Sequence, residues 1–576
     1  MSAQAARFGW RGWLVAAVFA AAGVALVGRA LWLQVIDKEF LLGQGNARHI
    51  RVVAVPAHRG TITDRNGEVL AVSTPVESIS CNPRELLAQP TRLAALARAL
   101  ELQPGALRRH LTEKAGREFV YLKRHLSPEQ AAKVLALKVP GVYSQREYRR
   151  YYPAGEVAAQ ALGLANIDDV GQEGIELAFD EVLRGEPGAE RVVKDRLGNT
   201  IAELESVRAP RHGRDLRLAL DLRIQFLAYR ELKRVVYENE AVGGSIVVLD
   251  TQTGEILAMA SQPAWNPNSR ATAPQGAVRN RVATDLFEPG SAFKPFPIAV
   301  ALESGSYRPR TLIDTHGGVL KVGSLTLRDE KDFGLIDVTT VLTKSVNTGS
   351  AQIALSLDRG MLWQSLTRFG FGSETGSGFP GEQGGNLPHY QRWRSVHTAT
   401  LSYGYGLNVT LLQLAQAYAV LAADGVRRTP AMLPSNGVVQ GERVLSVRTA
   451  IEMRAMLETV VSAEGTAVRA SVKGYRVSGK TGTARKAVAG GYDPDRHLAL
   501  FAGMAPATAP RLGAVVMVDE PSLGRYHGGE VAAPAFARVM EGALRLMDVA
   551  PDALDVADAA NAPLTAPKSV RTRRPR

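Results

Sequence analysis

From Gly12 to Gly28 the chain carries no charge and is built mostly of Ala, Val and Leu, with Arg11 and Arg29 as its boundaries. A run of that kind is close to the minimum that crosses a hydrocarbon core as a helix. Trp10 and Trp13 before it and Trp32 after it suit the two membrane interfaces, and Arg29 can snorkel to one of them. A cleaved signal peptide is the competing reading. It fits less well, because the run is long for a signal's apolar core and the helical pattern continues through Ala30-Leu31-Trp32-Leu33-Gln34-Val35-Ile36 without a clear small-residue cleavage site. The cation count does not orient the span, since Arg7 and Arg11 are matched by Arg29 and Lys38. The chain is expected to hold a short tail at residues 1–11 and a membrane and juxtamembrane helix at 12–36, with the long remainder on one side.

That remainder exceeds what one hydrophobic core organises, and 576 residues correspond to about three or four units. At 45% hydrophobic and 22% charged, it has the composition of a globular protein. The net charge of +13 is spread along the chain apart from the last residues, which argues against nucleic acid as a partner. Cys81 is the only cysteine, which excludes an intrachain disulfide framework and a multi-cysteine metal site. Residues 59–71 read as strand, turn at Asn66-Gly67, strand. A mixed region follows, with helices expected near 92–102 and 128–137. At about residue 220 the texture changes. A helical stretch at 222–240 leads into a hairpin, Gly244-Ser245-Ile246-Val247-Val248-Leu249-Asp250 and Glu255-Ile256-Leu257-Ala258-Met259-Ala260 about a turn at Thr253-Gly254. From 549 onward Ala, Pro, Asp and Arg show no usable apolar pattern, so residues 549–576 are expected to be disordered.

The chemistry begins at Glu288-Pro289-Gly290-Ser291-Ala292-Phe293-Lys294-Pro295, where a Pro-Gly break precedes an apolar run. If the run is helical, Ser291 and Lys294 lie on one face. A lysine accepts a serine proton only when it is itself neutral, which takes burial or a neighbouring cation. A helix N-terminus would also aim backbone N–H groups at an oxyanion. Pro295 and Pro297 predict an irregular start. A lone Ser-x-x-Lys is equally a capping serine beside an exposed lysine. Two later patterns change that balance. In Thr343-Lys344-Ser345-Val346-Asn347-Thr348, a loop can point a proton-relaying Ser345 and an amide-binding Asn347 into one cleft. Val477-Ser478-Gly479-Lys480-Thr481-Gly482-Thr483-Ala484 reads as a strand with a cation, two hydroxyls and a glycine that permits close backbone approach. Each has an ordinary reading, as a polar loop or a sheet edge, but the three in this order make an active serine site.

On these motifs the chain resembles the class B penicillin-binding proteins, and looks closest to their division-specific peptidoglycan D,D-transpeptidase of Gram-negative bacteria. The resemblance extends to residues 59–71, Tyr152-Pro153-x-Gly155, Ser402-Tyr403-Gly404-Tyr405-Gly406-Leu407, Gln413-Leu414-Ala415, Lys473-Gly474-Tyr475-Arg476 and Tyr526-His527-Gly528-Gly529. Ala292-Phe293 and Pro297 are local choices the family does not lead one to expect. The resemblance implies an α+β architecture: an elongated pedestal domain at 45–220, and a penicillin-recognising transpeptidase domain at 221–548 with an antiparallel sheet packed by helices. It implies that Ser291 attacks a D-Ala-D-Ala stem peptide, Lys294 takes its proton, and Ser345 and Lys480 pass a proton to the leaving D-Ala. Asn347 would hold a substrate amide, Thr481 and Thr483 the terminal carboxylate, and Gly482 would let the peptide lie along its strand. The N–H groups of Ser291 and Thr483 would form the oxyanion hole. No metal or cofactor is implied. The implied partners are peptidoglycan stem peptides, β-lactam antibiotics, a membrane-embedded glycan polymerase and other division proteins. The tail would be cytoplasmic and the catalytic domain periplasmic, at the septum.

Other acyl-transfer readings stay open here. A class A β-lactamase lacks support, because no Glu-x-x-Leu-Asn pattern supplies a deacylating base and such an enzyme needs no pedestal. No glycosyltransferase motif indicates a bifunctional synthase. A D,D-carboxypeptidase and a non-catalytic β-lactam sensor or division scaffold are separated from the transpeptidase only by turnover.

Overall fold

The computed structural model describes residues 9–36, 38, 50–194, 200–269, 273–437 and 439–553. The expected tails at 1–8 and beyond 553 lie outside the described residues. Two compact units emerge, each built from separated stretches of chain.

The first unit comprises 1–59, 73–149 and 184–213. Its N-terminal helix α1 (Gly9–Leu31) continues as a π-helical turn, Trp32–Ile36. The span Trp10–Ile36 holds an 18-residue stretch of mean hydropathy 2.1, none of it buried against protein, as a lipid-facing segment requires. Farther along, helices Pro83–Leu87, Pro90–Ala99, Pro104–Glu113 and Pro128–Leu135 each open on a proline, which loses no hydrogen bond in a first turn. Leu86, Leu96, Leu100, Leu107, Leu111 and Val134 share a small core with Cys81. Burial pushes the Cys81 thiol up to about 12, so it is packing rather than chemistry. A separate antiparallel sheet places Gly188–Lys194 between Ile50–Val55 and Thr200–Arg208.

The second unit comprises 60–72, 150–183 and the chain from 214 onward. Its five-stranded antiparallel sheet consists of β1 (Gly243–Asp250), β2 (Ile256–Gln262), β3 (Ser478–Val488), β4 (Gly491–Ala505) and β5 (Leu512–Asp519), in the order β2-β1-β5-β4-β3. The expected hairpin is β1–β2, its turn eased by Gly254 at φ +80°. Every residue of β1 and β5 is buried, so both faces of the sheet's centre are covered. Helices α2 (Leu222–Glu238) and α6 (Gly528–Leu546) pack together and onto the sheet, and α5 (Leu411–Ala422) packs on β1, β4 and β5. Between β2 and α5 the chain forms α3 (Pro295–Glu303) and α4 (Asn347–Ser356). Among the described residues, strand β3 pairs only with β4 and leaves its other edge unpaired.

The structure differs from expectation at 549–553, the start of the supposed disordered tail. Tyr475 Oη donates to the Val549 carbonyl (2.6 Å), Arg476 N–H to Asp552 Oδ1 (2.7 Å) and Ala553 N–H to the Gly474 carbonyl (3.1 Å). Polar tertiary contacts hold this stretch, and an apolar pattern does not report them.

Candidate active site

The segment bearing Ser291 is a 3₁₀ turn, Gly290–Phe293, and α3 starts only at Pro295. This is the irregular start that the prolines predicted. Pro295 and Pro297 fall in the first turn, where N–H groups have no intrahelical acceptor. With three residues per turn, a 3₁₀ segment eclipses positions i and i+3, which puts Ser291 and Lys294 on one line. Several contacts hold the turn. Gly290 takes φ +54° and donates to the Gly404 carbonyl (3.2 Å), Tyr418 Oη donates to the Ala292 carbonyl (2.8 Å), and the Phe293 ring packs on Phe296 and Phe371. Ala292 and Phe293 thus serve packing.

Lys294 and Lys480 are both fully buried and both reach Ser345. Lys294 Nζ lies 2.7 Å from Asn347 Oδ1 and 3.1 Å from Ser345 Oγ, and it donates to the Ser345 carbonyl. Lys480 Nζ is 3.0 Å from Ser345 Oγ and also meets the carbonyl and hydroxyl of its neighbour Thr481. The Ser345 hydroxyl therefore bridges the two amines. Burial, followed by the charge of Lys480, drives the Lys294 amine well below its ordinary value, against a smaller upward pull from Asp329. Burial alone brings Lys480 down to about 7. Two of the Lys294 contacts, the Asn347 amide oxygen and the Ser345 carbonyl, can only accept. They use both N–H bonds of a neutral amine and leave its lone pair for a hydroxyl. No hydrogen bond joins Lys294 to Ser291 Oγ in this substrate-free arrangement; catalytic contacts of this type tighten when substrate binds.

Ser345 sits in a tight turn between helix Val338–Thr343 and α4, with φ +60°, a conformation costly for a side-chain-bearing residue. Asn347 is not in a loop, as its sequence context suggested, but opens α4. The reason is Asp329, eighteen residues earlier, whose carboxylate accepts from Asn347 N–H (2.6 Å), Thr348 N–H (3.2 Å) and the Thr348 hydroxyl. Sequence reasoning missed Asp329, and no local pattern marks it. Asp329→Ala should uncap α4, costing about 1–2 kcal/mol of stability, and should slow acylation by letting Asn347 drift. Asp329→Asn, which keeps an acceptor, should lose less of both. Urea unfolding and penicillin acylation rates check this, and an Ala variant as fast as the parent would refute it.

A cleft of about 470 Å³ opens above these groups, bordered by Ser291, Ser345, Asn347, Thr481, Thr483 and His527. Thr481 and Thr483 come from the edge strand β3, their hydroxyls tied to Thr466 Oγ1 (2.9 Å) and Gly528 N–H (3.2 Å). Thr466 and the His527-Gly528 segment are further site residues that sequence reasoning gave no role. Gly482 has another reason to be glycine than the expected one. A Cβ there would stand 2.9 Å from the Pro289 carbonyl and 3.1 Å from the Ala292 Cβ, so the missing side chain lets β3 approach the Ser291 segment. All eight expected residues converge, five lining the cleft and Lys294, Lys480 and Gly482 forming the layer behind it.

A serine at a tight turn, a lysine one turn on whose burial favours its neutral form, and a second buried lysine across a bridging hydroxyl define a serine acyl-transfer enzyme on a helix-covered antiparallel sheet. Comparison with known proteins gives the particular family. Residues 244–541 match the penicillin binding protein transpeptidase domain, and residues 54–218 match the penicillin-binding protein dimerisation domain. The chain is 42% identical to a probable peptidoglycan D,D-transpeptidase PbpC of Pseudomonas aeruginosa, over 96% of this chain and 98% of that one. It is 40% identical to the peptidoglycan D,D-transpeptidase FtsI of Escherichia coli K12, over 95% and 94%. Among solved structures, penicillin binding protein 3 of Mycobacterium tuberculosis, complexed with aztreonam, aligns with a TM-score of 0.67 at 27% identity, covering 87% of this chain and 98% of that one. The chain belongs to the class B penicillin-binding proteins and is a serine-type peptidoglycan D,D-transpeptidase.

Proposed function

We propose that the chain cross-links stem peptides of septal peptidoglycan from the outer face of the inner membrane, through an ester on Ser291. The observation that carries the catalytic reading is the meeting of Lys294, Lys480 and Asn347 around Ser345, next to Ser291. Ser291 Oγ attacks the D-Ala-D-Ala carbonyl and Lys294 accepts its proton. The N–H groups of Ser291 and Thr483 receive the oxyanion. As the C–N bond breaks, Ser345 and Lys480 deliver a proton to the departing D-Ala amine. Asn347 holds a substrate amide, and Thr481 and Thr483 hold the terminal carboxylate. The donor peptide lies along the free edge of β3 as an added strand. An acceptor amine then attacks the ester, forms the cross-link and returns Ser291 to its free state. Burial brings Lys480 down to about 7 in the free site, and an arriving carboxylate favours its protonated form.

The septal assignment, a glycan polymerase and other division proteins as partners, and the division into anchor, pedestal and transpeptidase domain at 12–36, 45–220 and 221–548 belong to the same proposal. Support comes from the likeness to FtsI and from the matched dimerisation domain. Incubation of the full chain with uncross-linked glycan strands should yield cross-linked muropeptides and one D-Ala per bond, and depletion should give filamentous cells. Release of D-Ala without cross-links would make it a carboxypeptidase, and short, normally dividing cells would remove the septal role. The anchor reading makes a separate prediction. In spheroplasts, protease should digest the C-terminal domain, and the mature chain should retain Trp13 to Val27. A protected domain, or an N-terminus beyond Ala22, would refute it.

A further inference from the structure

The transpeptidase unit holds a second cavity, of about 600 Å³, that shares no lining residue with the catalytic cleft. That volume is within the range of small-ligand sites. It lies at one end of the sheet, where the β1–β2 turn, the residues before β5 and the C-terminus of α5 meet. Seven of its seventeen lining residues are ionisable, and aromatic side chains are absent from the lining. Three arginines there are matched one to one: Arg65 with Glu255 (3.2 Å), Arg511 with Asp250 (2.7 Å) and Arg454 with Asp424 (2.8 Å). The fourth, Arg428, has no carboxylate partner among the described residues; it donates only to the carbonyls of Val439 (2.9 Å) and Thr251 (3.4 Å). Among the described residues, the lining therefore carries one positive charge in excess. Arg65 Nη1 is in addition buried with no hydrogen-bond partner among the described residues, whereas Asp250 Oδ2 and Glu255 Oε2 are held by their arginines.

We propose that this cavity is a binding site for the carboxylate-bearing end of a peptide, with Arg428 as its anchoring cation. A guanidinium fork matches a planar carboxylate, the single excess charge calls for a single negative one, and Gln252, Thr253 and Ser435 on the walls can hydrogen-bond an amide backbone. Two sources present that group. One is a free peptide. The other is this chain: the Thr508 N–H and hydroxyl, at the cavity wall, donate to Asp552 (3.2 and 2.9 Å), and Asp555 and Asp558 follow soon after in the sequence.

The test is saturation-transfer NMR on the full chain in detergent and on a version ending at Ala553, with N-acetyl-diglycine as probe and its neutral amide as control. Saturable binding of the acid by both chains assigns the site to a free peptide. Binding only by the shortened chain assigns it to the segment carrying Asp555 and Asp558. In whichever chain binds, Arg428→Gln should weaken the probe roughly tenfold or more. Arg428→Lys, which keeps the charge and guards against a folding defect, should bind within a few-fold of the parent. No saturable binding by either chain, equal binding of the amide, or Arg428→Gln binding as the parent does would overturn the proposal.

Discussion

A penicillin added to the purified chain is expected to leave one covalent mass on the protein within the mixing time, to persist for hours, and to vanish altogether in Ser291→Ala. The persistence follows from where the bases are. Opening the lactam ring leaves the departing amine tethered in the cleft, where it obstructs an acceptor. Release then requires a water, and a base to activate it, on the far side of the ester. Lys294 cannot serve that water. Its Nζ is fully buried and held by Asn347 Oδ1 and by the carbonyl and hydroxyl of Ser345. Three carboxylates border the cleft: Asp329, which is occupied by the N-terminus of α4, and the solvent-exposed Glu330 and Glu530. Intact-protein mass spectrometry over hours checks the expectation. Loss of the adduct within minutes over repeated turnovers would mean that a group in the cleft activates a water, and would turn the reading toward a β-lactamase.

The parts legible in the sequence share one property: a short stretch of chain states them. Ser291 with Lys294, Ser345 with Asn347, and Lys480 to Thr483 are local patterns, and their order along the chain made them converge in expectation before any contact was known. The β1–β2 hairpin was readable for the same reason, since alternation and a Thr-Gly turn are local. What could not be read depends on residues distant in sequence. Asp329 caps a helix that begins at Asn347, so a stretch that looks like polar loop is helical. Thr466 and Gly528 are brought to β3 only by the fold. Gly482 is glycine because of the Pro289 carbonyl, nearly two hundred residues before it. The start of the C-terminal segment is held by Asp552 against Arg476 and Thr508, which hydropathy does not register.

Lys294→Arg should all but abolish acylation, by roughly a thousandfold, the size of effect a general base supplies, whereas Lys480→Arg should stay within about tenfold of the parent. The two lysines have the same charge and share one hydroxyl, but their environments separate them. Lys294 is held well below its ordinary value by burial and by the adjacent Lys480, which favours the neutral form that has a lone pair to offer. Arginine there is a permanent cation and offers none. Lys480 is brought only to about 7 by burial, and its task near the substrate carboxylate is to be protonated, which arginine satisfies. The signs give a pH profile. Acylation by the free enzyme should fall on the acid side as Lys294 gains a proton, and on the alkaline side as pH rises through about 7 and Lys480 loses one. Because the two amines interact, these limbs belong to the pair. Lys480→Arg should remove the alkaline limb and leave the acid one. Lys294→Met, neutral and of similar length, should be as inactive as Lys294→Arg while both variants unfold near the parent temperature, which separates loss of the base from loss of the fold. Stopped-flow acylation across pH 5 to 9 decides the matter. Equal losses in the two arginine variants, or an alkaline limb that survives in Lys480→Arg, would refute the division of labour between them.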